Sequence, residues 1–396
     1  SENMNNTKNN HFVPQGYLKN FLNDKLSLYK YDLDNSLKSY EITNLKKECS
    51  CKNLYSTKQK ITYEEIRFTC KLAGYNDEVE IDFCKKICDY INGDFSSFID
   101  NTCPIHIPLE YHKMFMTYIK GILDEKSIFR SQENIFTSVY ENDFYNILDK
   151  IIKSESIDFL NNNVNSSSVS LYLYVKLEAF LHKSAFKIIN KKLKEVYPNL
   201  PNTKEIEENL GKLKFNTNLY VDLIHYLIIQ YFRTEKQIDN LKNSLIHLKK
   251  YWESQYADYQ LPDYVQKFIG LNEDSFIFIF IHLKSIYLVE SLINSQYKLL
   301  LLNNDTEVPF ITSDSPCINI YASYIDPFEL QGNDFEIYFP ISPTLALLYT
   351  NRTGYKNIEN TEITLNNKKM ILQFNASIKK LAKRYLYSNI NSLLML

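Results

Sequence analysis

The sequence predicts an α+β fold, with a small antiparallel sheet built from the two ends of the chain and a large, mainly helical middle. Three observations carry this. Residues 11–60 and 296–350 hold short alternating or apolar runs separated by turn residues. Residues from about 95 to 295 mostly follow helical apolar spacing. Apolar side chains make up 44% of the 396 residues, enough to bury a substantial core.

The elements follow in order. Ser1 to Asn10 is polar and lacks an apolar run, so it reads as a disordered lead segment rather than a signal peptide. Pro14 suits the first turn of a helix, which is expected to run to about Leu22. Leu26 to Asp32 alternates as a strand, and a turn at Asp34-Asn35-Ser36 leads to its hairpin partner, Leu37 to Ile42. Asn76-Asp77 opens an amphipathic helix that ends near Asn92-Gly93. Helical spacing then marks segments near 109–124, 133–152, 167–196, 218–250 and 263–293, with breaks at 161–168 and 198–202. Beyond 296, strands are expected at Tyr297 to Leu302, Val308 to Thr312, Phe335 to Phe339 and Leu345 to Tyr349. A closing helix is expected over 376–387, and residues 11–396 read as one domain.

Composition narrows the function classes. A net charge of -2 removes a global basic field for nucleic acid, leaving only a local groove. No stretch is long and apolar enough to span a bilayer, which predicts a cytoplasmic protein without membrane partners. Seven cysteines, an odd number, read as reduced thiols rather than a disulfide frame. Cys49-Ser50-Cys51 and Cys84 with Cys88 are not CxxC pairs and have no histidine at finger spacing, so structural zinc is not expected. Only five of the 45 basic residues are arginine, so each arginine carries some information: lysine cannot reproduce its planar fork.

Three words carry the candidate chemistry. His11 lies three residues before Pro14, beside a helix start whose free N–H groups favour phosphate or carboxylate. It could shuttle a proton there, or simply fix the chain's entry into the helix. Gln15 sits in the same word as a further phosphate contact. Gln230 and Arg233, three apart on a helix expected over 222–250, continue an apolar face and therefore need partners. Those partners are either a carboxylate inside the protein or a substrate phosphate. Asp314, after a strand and before Ser315-Pro316, fits a structural turn. The alternative is a carboxylate that orients an imidazole, acts as base or holds a divalent metal.

These words, in this order, resemble one family, the bacterial domain of unknown function 4238. The match rests on His11, Val13, Pro14, Gln15, Tyr17, Leu18 and Phe21, then Gln230 to Thr234, Thr312 to Pro316 and Phe339 to Pro343. Asn375, Arg384 and Tyr385 in the closing segment extend it. Cys51 departs from it, standing where an acidic residue is expected, and residues 95–215 look longer than the family core. The resemblance implies an intracellular bacterial protein with a mobile-island or defence association and no particular reaction.

Two functions follow. The first is a phosphodiester-directed hydrolase, a nuclease in a defence or toxin role. In it His11 is general acid or base, Asp314 its orienter or a metal ligand, and Arg233, Gln230 and Gln15 hold the phosphate. The second is a non-catalytic binding or sensor module, with His11, Gln230, Arg233 and Asp314 as a structural polar network and nucleic acid or protein as its partner. Geometry discriminates: convergence on an open pocket favours the enzyme, and sealed, mutually satisfied groups favour the network.

Overall fold

The architecture is that of a computed structural model, which describes residues 9–52, 54, 61–72, 78–94, 96–98, 135–141, 143–160, 169–196, 217–257, 260–323, 334–356 and 361–392. The fold is α+β, and the sheets do join the two ends of the chain. The strands are β1 (Asn9–His11), β2 (Leu28–Asp32), β3 (Lys38–Ile42), β4 (Ser50–Lys52), β5 (Lys298–Asn304) and β6 (Thr312–Ser313). They continue with β7 (Ile318–Asn319), β8 (Ile337–Pro340), β9 (Leu345–Thr350), β10 (Glu362–Leu365) and β11 (Tyr385–Ser388).

They form three sheets rather than one. β1 pairs with β4; a four-stranded sheet runs β3-β2-β11-β6; a five-stranded sheet runs β10-β5-β9-β8-β7. The mixed-end sheet is the four-stranded one, where Tyr385 opposes Asp32 and Leu386 opposes both Tyr31 and Ser313. Pairing is antiparallel except between β10 and β5, which run parallel.

The five-stranded sheet is a buried middle layer. Leu299 and Leu301 of β5 pack into the larger core with the helices, while Leu300 and Leu302 face the second core. β9 does the same, with Leu345, Leu347 and Tyr349 on one side and Ala346 and Leu348 on the other. Because alternate side chains point to opposite faces, a strand covered on both sides must be apolar throughout. That is why Lys298–Asn304 reads as a leucine run without alternation. The helix Lys368–Leu381 covers the second core through Ile371 and Ile378.

Several expectations are corrected here. The segment expected as one helix over 218–250 is two, Leu219–Phe232 and Glu235–Gln255, with Arg233 as C-cap of the first and Thr234 as N-cap of the second. The Thr234 hydroxyl accepts from the Gln237 N–H at 3.4 Å, so the second helix is capped where the first stops. The closing helix starts and ends earlier than 376–387, and its expected last turn is strand β11. There the Tyr385 and Tyr387 backbones complete a ladder between β2 and β6, and tertiary pairing overrides local propensity. Asn9 and Asn10, expected in a disordered lead segment, begin β1. Of Val308 to Thr312 only Thr312 is strand, whereas β7 and β10 were not expected. The segment near 109–124 and the breaks at 161–168 and 198–202 lie outside the described residues.

Two π-helical turns interrupt the helical middle, Phe136–Tyr140 and Phe280–Lys284. Among the described residues no helix is long and apolar enough to cross a membrane.

Candidate functional site

His11 is the last residue of β1 and opposes Ser50. Its Nδ1–H points at the Glu48 carbonyl at 3.2 Å, which leaves Nε2 to accept from the Gln15 side-chain amide at 3.0 Å. Partial burial lowers its pKa, the Arg233 charge acts the same way, and the Glu48 carbonyl and Glu141 oppose them. The helix that follows is a single turn, Gln15–Leu18, extended by a 3-10 turn to Phe21. One turn carries little macrodipole, so the expected anion-receptive helix start is weak.

Arg233 is spent inside the protein. Only 1% of it is exposed. Its guanidinium meets Glu141 at 2.5 Å and lies over the Phe136 ring, 5.2 Å from the centroid. Its Nε donates to the Phe12 carbonyl at 3.3 Å, and the other terminal nitrogen donates to the His11 carbonyl at 3.5 Å. Gln230 donates to the same Phe12 carbonyl at 2.8 Å and accepts from the Tyr226 hydroxyl at 3.1 Å. The Gln-x-x-Arg word therefore fastens the backbone of the His11 word to the helical middle. A buried arginine with a carboxylate partner and carbonyl acceptors has its charge compensated.

Asp314 works elsewhere. It follows β6, and its two oxygens accept backbone N–H groups from Lys383 (2.8 Å), Arg384 (2.7 Å) and Tyr385 (2.9 Å). Those residues carry the chain from the helix Lys368–Leu381 into β11. Burial raises the Asp314 pKa, opposed by the three N–H bonds. Neither His11 ring nitrogen is hydrogen-bonded to Asp314, so the expected imidazole–carboxylate pair does not form. Asp314 replaces the expected local turn with a long-range clamp. Local turn chemistry survives next door, where Ser313 Oγ accepts from the Ser315 N–H at 3.0 Å.

The words do converge, but on Tyr17. Its hydroxyl lies 2.7 Å from the Thr312 hydroxyl and donates to the Pro340 carbonyl at 2.6 Å. The Tyr17 ring stacks on Phe339 at 4.9 Å. One fully buried tyrosine thus joins the first, third and fourth words.

Sequence reasoning did not single out Glu48, Glu141 or Tyr387. Glu48 accepts from the Tyr387 hydroxyl at 2.8 Å and pairs with Lys30 at 2.7 Å, stitching β2, β11 and the His11 loop. The signal for Glu141 was Arg233 itself, since a buried guanidinium requires a carboxylate. A second polar cluster beside the π-helical turns was missed as well. Lys176 lies 2.5 Å from Asp222 and 3.3 Å from Asp143, and Tyr172 donates to Asp222. His225 meets Ser285 at 3.2 Å, and Tyr140 hydrogen-bonds His282 between the two π turns. Among the described residues no group of three or more His, Cys, Asp or Glu is placed to hold a metal, and both Asp314 oxygens are occupied by backbone.

The family model for DUF4238, proteins of unknown function, matches residues 9–392, which takes in every contact above. The chain belongs to the DUF4238 family. No curated protein and no solved structure matches it. In this DUF4238 chain the characteristic words are interlocking parts of one largely buried frame, in which His11, Gln15, Tyr231, Phe232 and Pro343 are partly exposed.

Proposed function

We propose that this chain is a non-catalytic binding or sensor module in which His11, Gln230, Arg233 and Asp314 form the polar frame that locks the terminal sheets to the helical middle. The observation that carries this reading is the commitment of Arg233 to Glu141 and to the His11 and Phe12 carbonyls. A guanidinium so placed would have to break a buried ion pair to receive a phosphate, and breaking such pairs costs about 3–5 kcal/mol. Asp314 is similarly occupied by three backbone donors and has no oxygen aimed at the imidazole. The partner, protein or nucleic acid, would be read by surface outside the frame.

The second reading, a phosphodiester-directed nuclease with a defence or toxin role, keeps one favourable observation. His11 and Gln15 are only partly buried, and the Nε2 lone pair is held by nothing stronger than an amide. The test is incubation of the purified chain with single- and double-stranded DNA, RNA and tRNA, with divalent metal and with chelator. The binding reading expects no cleavage. Cleavage that disappears in a well-folded His11→Ala variant would overturn it.

A further inference from the structure

A cleft of about 380 Å³ opens between the helix Tyr63–Leu72 and the turn after the helix Asp263–Ile269. Its walls carry Arg67, Lys71 and Lys267, two carboxylates, Glu64 and Glu65, and the apolar Phe68 and Leu271. We infer that this cleft binds a small organic anion with a flat apolar body, of the chemical class of a nucleoside monophosphate. The inference goes beyond the frame described above, since none of these residues belongs to it.

Four observations support it. Arg67 and Lys71 are one helical turn apart, so both cations project from the same face. Glu65 is committed: it accepts from the Thr62 N–H at 2.9 Å while its own N–H donates to the Thr62 hydroxyl at 3.2 Å. That reciprocal capping box starts the helix and holds one Glu65 oxygen on the Thr62 backbone, so Glu65 is fixed at the helix start rather than paired with Arg67, Lys71 or Lys267. Arg67 is the odd one among the described arginines. Arg233, Arg352 and Arg384 each pair with a carboxylate, whereas Arg67 has none among the described residues and rests over the Tyr63 ring at 5.7 Å. Lys267 on the opposite wall holds Asp263 at 2.9 Å, an exposed pair that a better acceptor can displace.

The division of labour follows from these groups. The Arg67 fork takes two oxygens of a phosphate, with Lys71 and Lys267 as flanking point charges. Phe68 and Leu271 cover an apolar ring, and Glu64 accepts from a hydroxyl or amine of the ligand. The volume lies within the range of small-molecule sites, roughly 300–1,000 Å³.

The test is calorimetric titration of the whole chain with adenosine 5′-monophosphate, adenosine and inorganic phosphate. Saturable binding of the monophosphate is expected, with adenosine and phosphate each about tenfold or more weaker, because each lacks half of the recognised chemistry. The double variant Arg67→Glu, Lys71→Glu should lose the monophosphate while unfolding at the parent temperature, and Lys368→Glu, a reversal at a surface pair elsewhere, should change nothing. No saturable binding of the monophosphate at millimolar concentration, equal binding of adenosine, or undiminished binding in the double variant would each overturn the site. Cleavage of nucleic acid through His11 would contradict the proposed function and leave this cleft untouched.

Discussion

At the scale of single residues, position relative to solvent decides what a charged group does. Arg233 has the chemistry to clamp phosphate, and in the fold it clamps two backbone carbonyls and Glu141. Arg67 has the same guanidinium, stays outside and pairs with no carboxylate among the described residues. The difference is testable. Arg233→Met should cost about 3–5 kcal/mol in urea unfolding, because it strands a buried carboxylate. Adding Glu141→Gln should restore part of that loss, giving a coupling energy of about 1–3 kcal/mol in the double-mutant cycle. Strictly additive effects would show that the two side chains do not act as a pair. The need for a partner could be read from Gln230 and Arg233 continuing an apolar helix face. The identity of that partner could not, since Glu141 is some ninety residues away in a stretch that looks individual to this chain.

At the scale of elements, the short N-terminal turn shows how little local propensity had to supply. Gln15–Leu18 is a single helical turn held from outside: Tyr17 and Leu18 are fully buried, and Gly16 faces the ring of Tyr145. A Cβ at position 16 would sit 2.6 Å from a Tyr145 ring carbon. Gly16→Ala should therefore destabilise the protein by about 1–3 kcal/mol despite the better helix former, through overpacking against the ring. Combining it with Tyr145→Ala should relieve most of the penalty; a Gly16→Ala protein that unfolds at the parent midpoint would mean the ring is free to move aside. The same logic explains which elements were legible. The β2–β3 hairpin and the helix Glu78–Ile91 carry local signals and appear where expected. β6, β7, β10 and β11 are four residues or shorter and exist only because a neighbouring strand supplies the ladder.

At the scale of the whole molecule, burial of neutral imidazoles ties stability to pH. His225 and His282 lie in the helical core, and burial pushes each pKa from 6.5 down to about 3; nearby Lys176 adds to this for His225, and His225 for His282. Below pH 6.5 the unfolded chain takes up protons that these folded rings refuse, so their contribution to stability falls as pH falls. The loss is roughly 1.4 kcal/mol per pH unit for each ring until the folded value is reached. Asp314, Asp222 and Glu336 act in the opposite direction, since burial raises their folded pKa and acid favours the fold through them. The comparison that isolates the histidines is the urea midpoint between pH 7 and pH 5 for the parent and for His225→Gln with His282→Gln. The double variant should show the shallower decline with acid; parallel curves would exclude the two imidazoles as its source.

By itself, the sequence determined the α+β class, the joining of the two chain ends through a sheet, the family, and which four words belong together. The fold class and the joined ends follow from residue type and periodicity, which are local properties written along the chain; the family and the grouping of the words follow from resemblance to its other members. Only the tertiary structure decided what the words do. It closed Arg233 onto Glu141, set Asp314 on the backbone entering β11, and brought the first, third and fourth words together at the buried hydroxyl of Tyr17 rather than in an open pocket. The physical reason is that a guanidinium or carboxylate has the same chemistry wherever it stands. Whether that chemistry is offered to a ligand or consumed within the fold depends on partners hundreds of residues away and on the water that packing excludes.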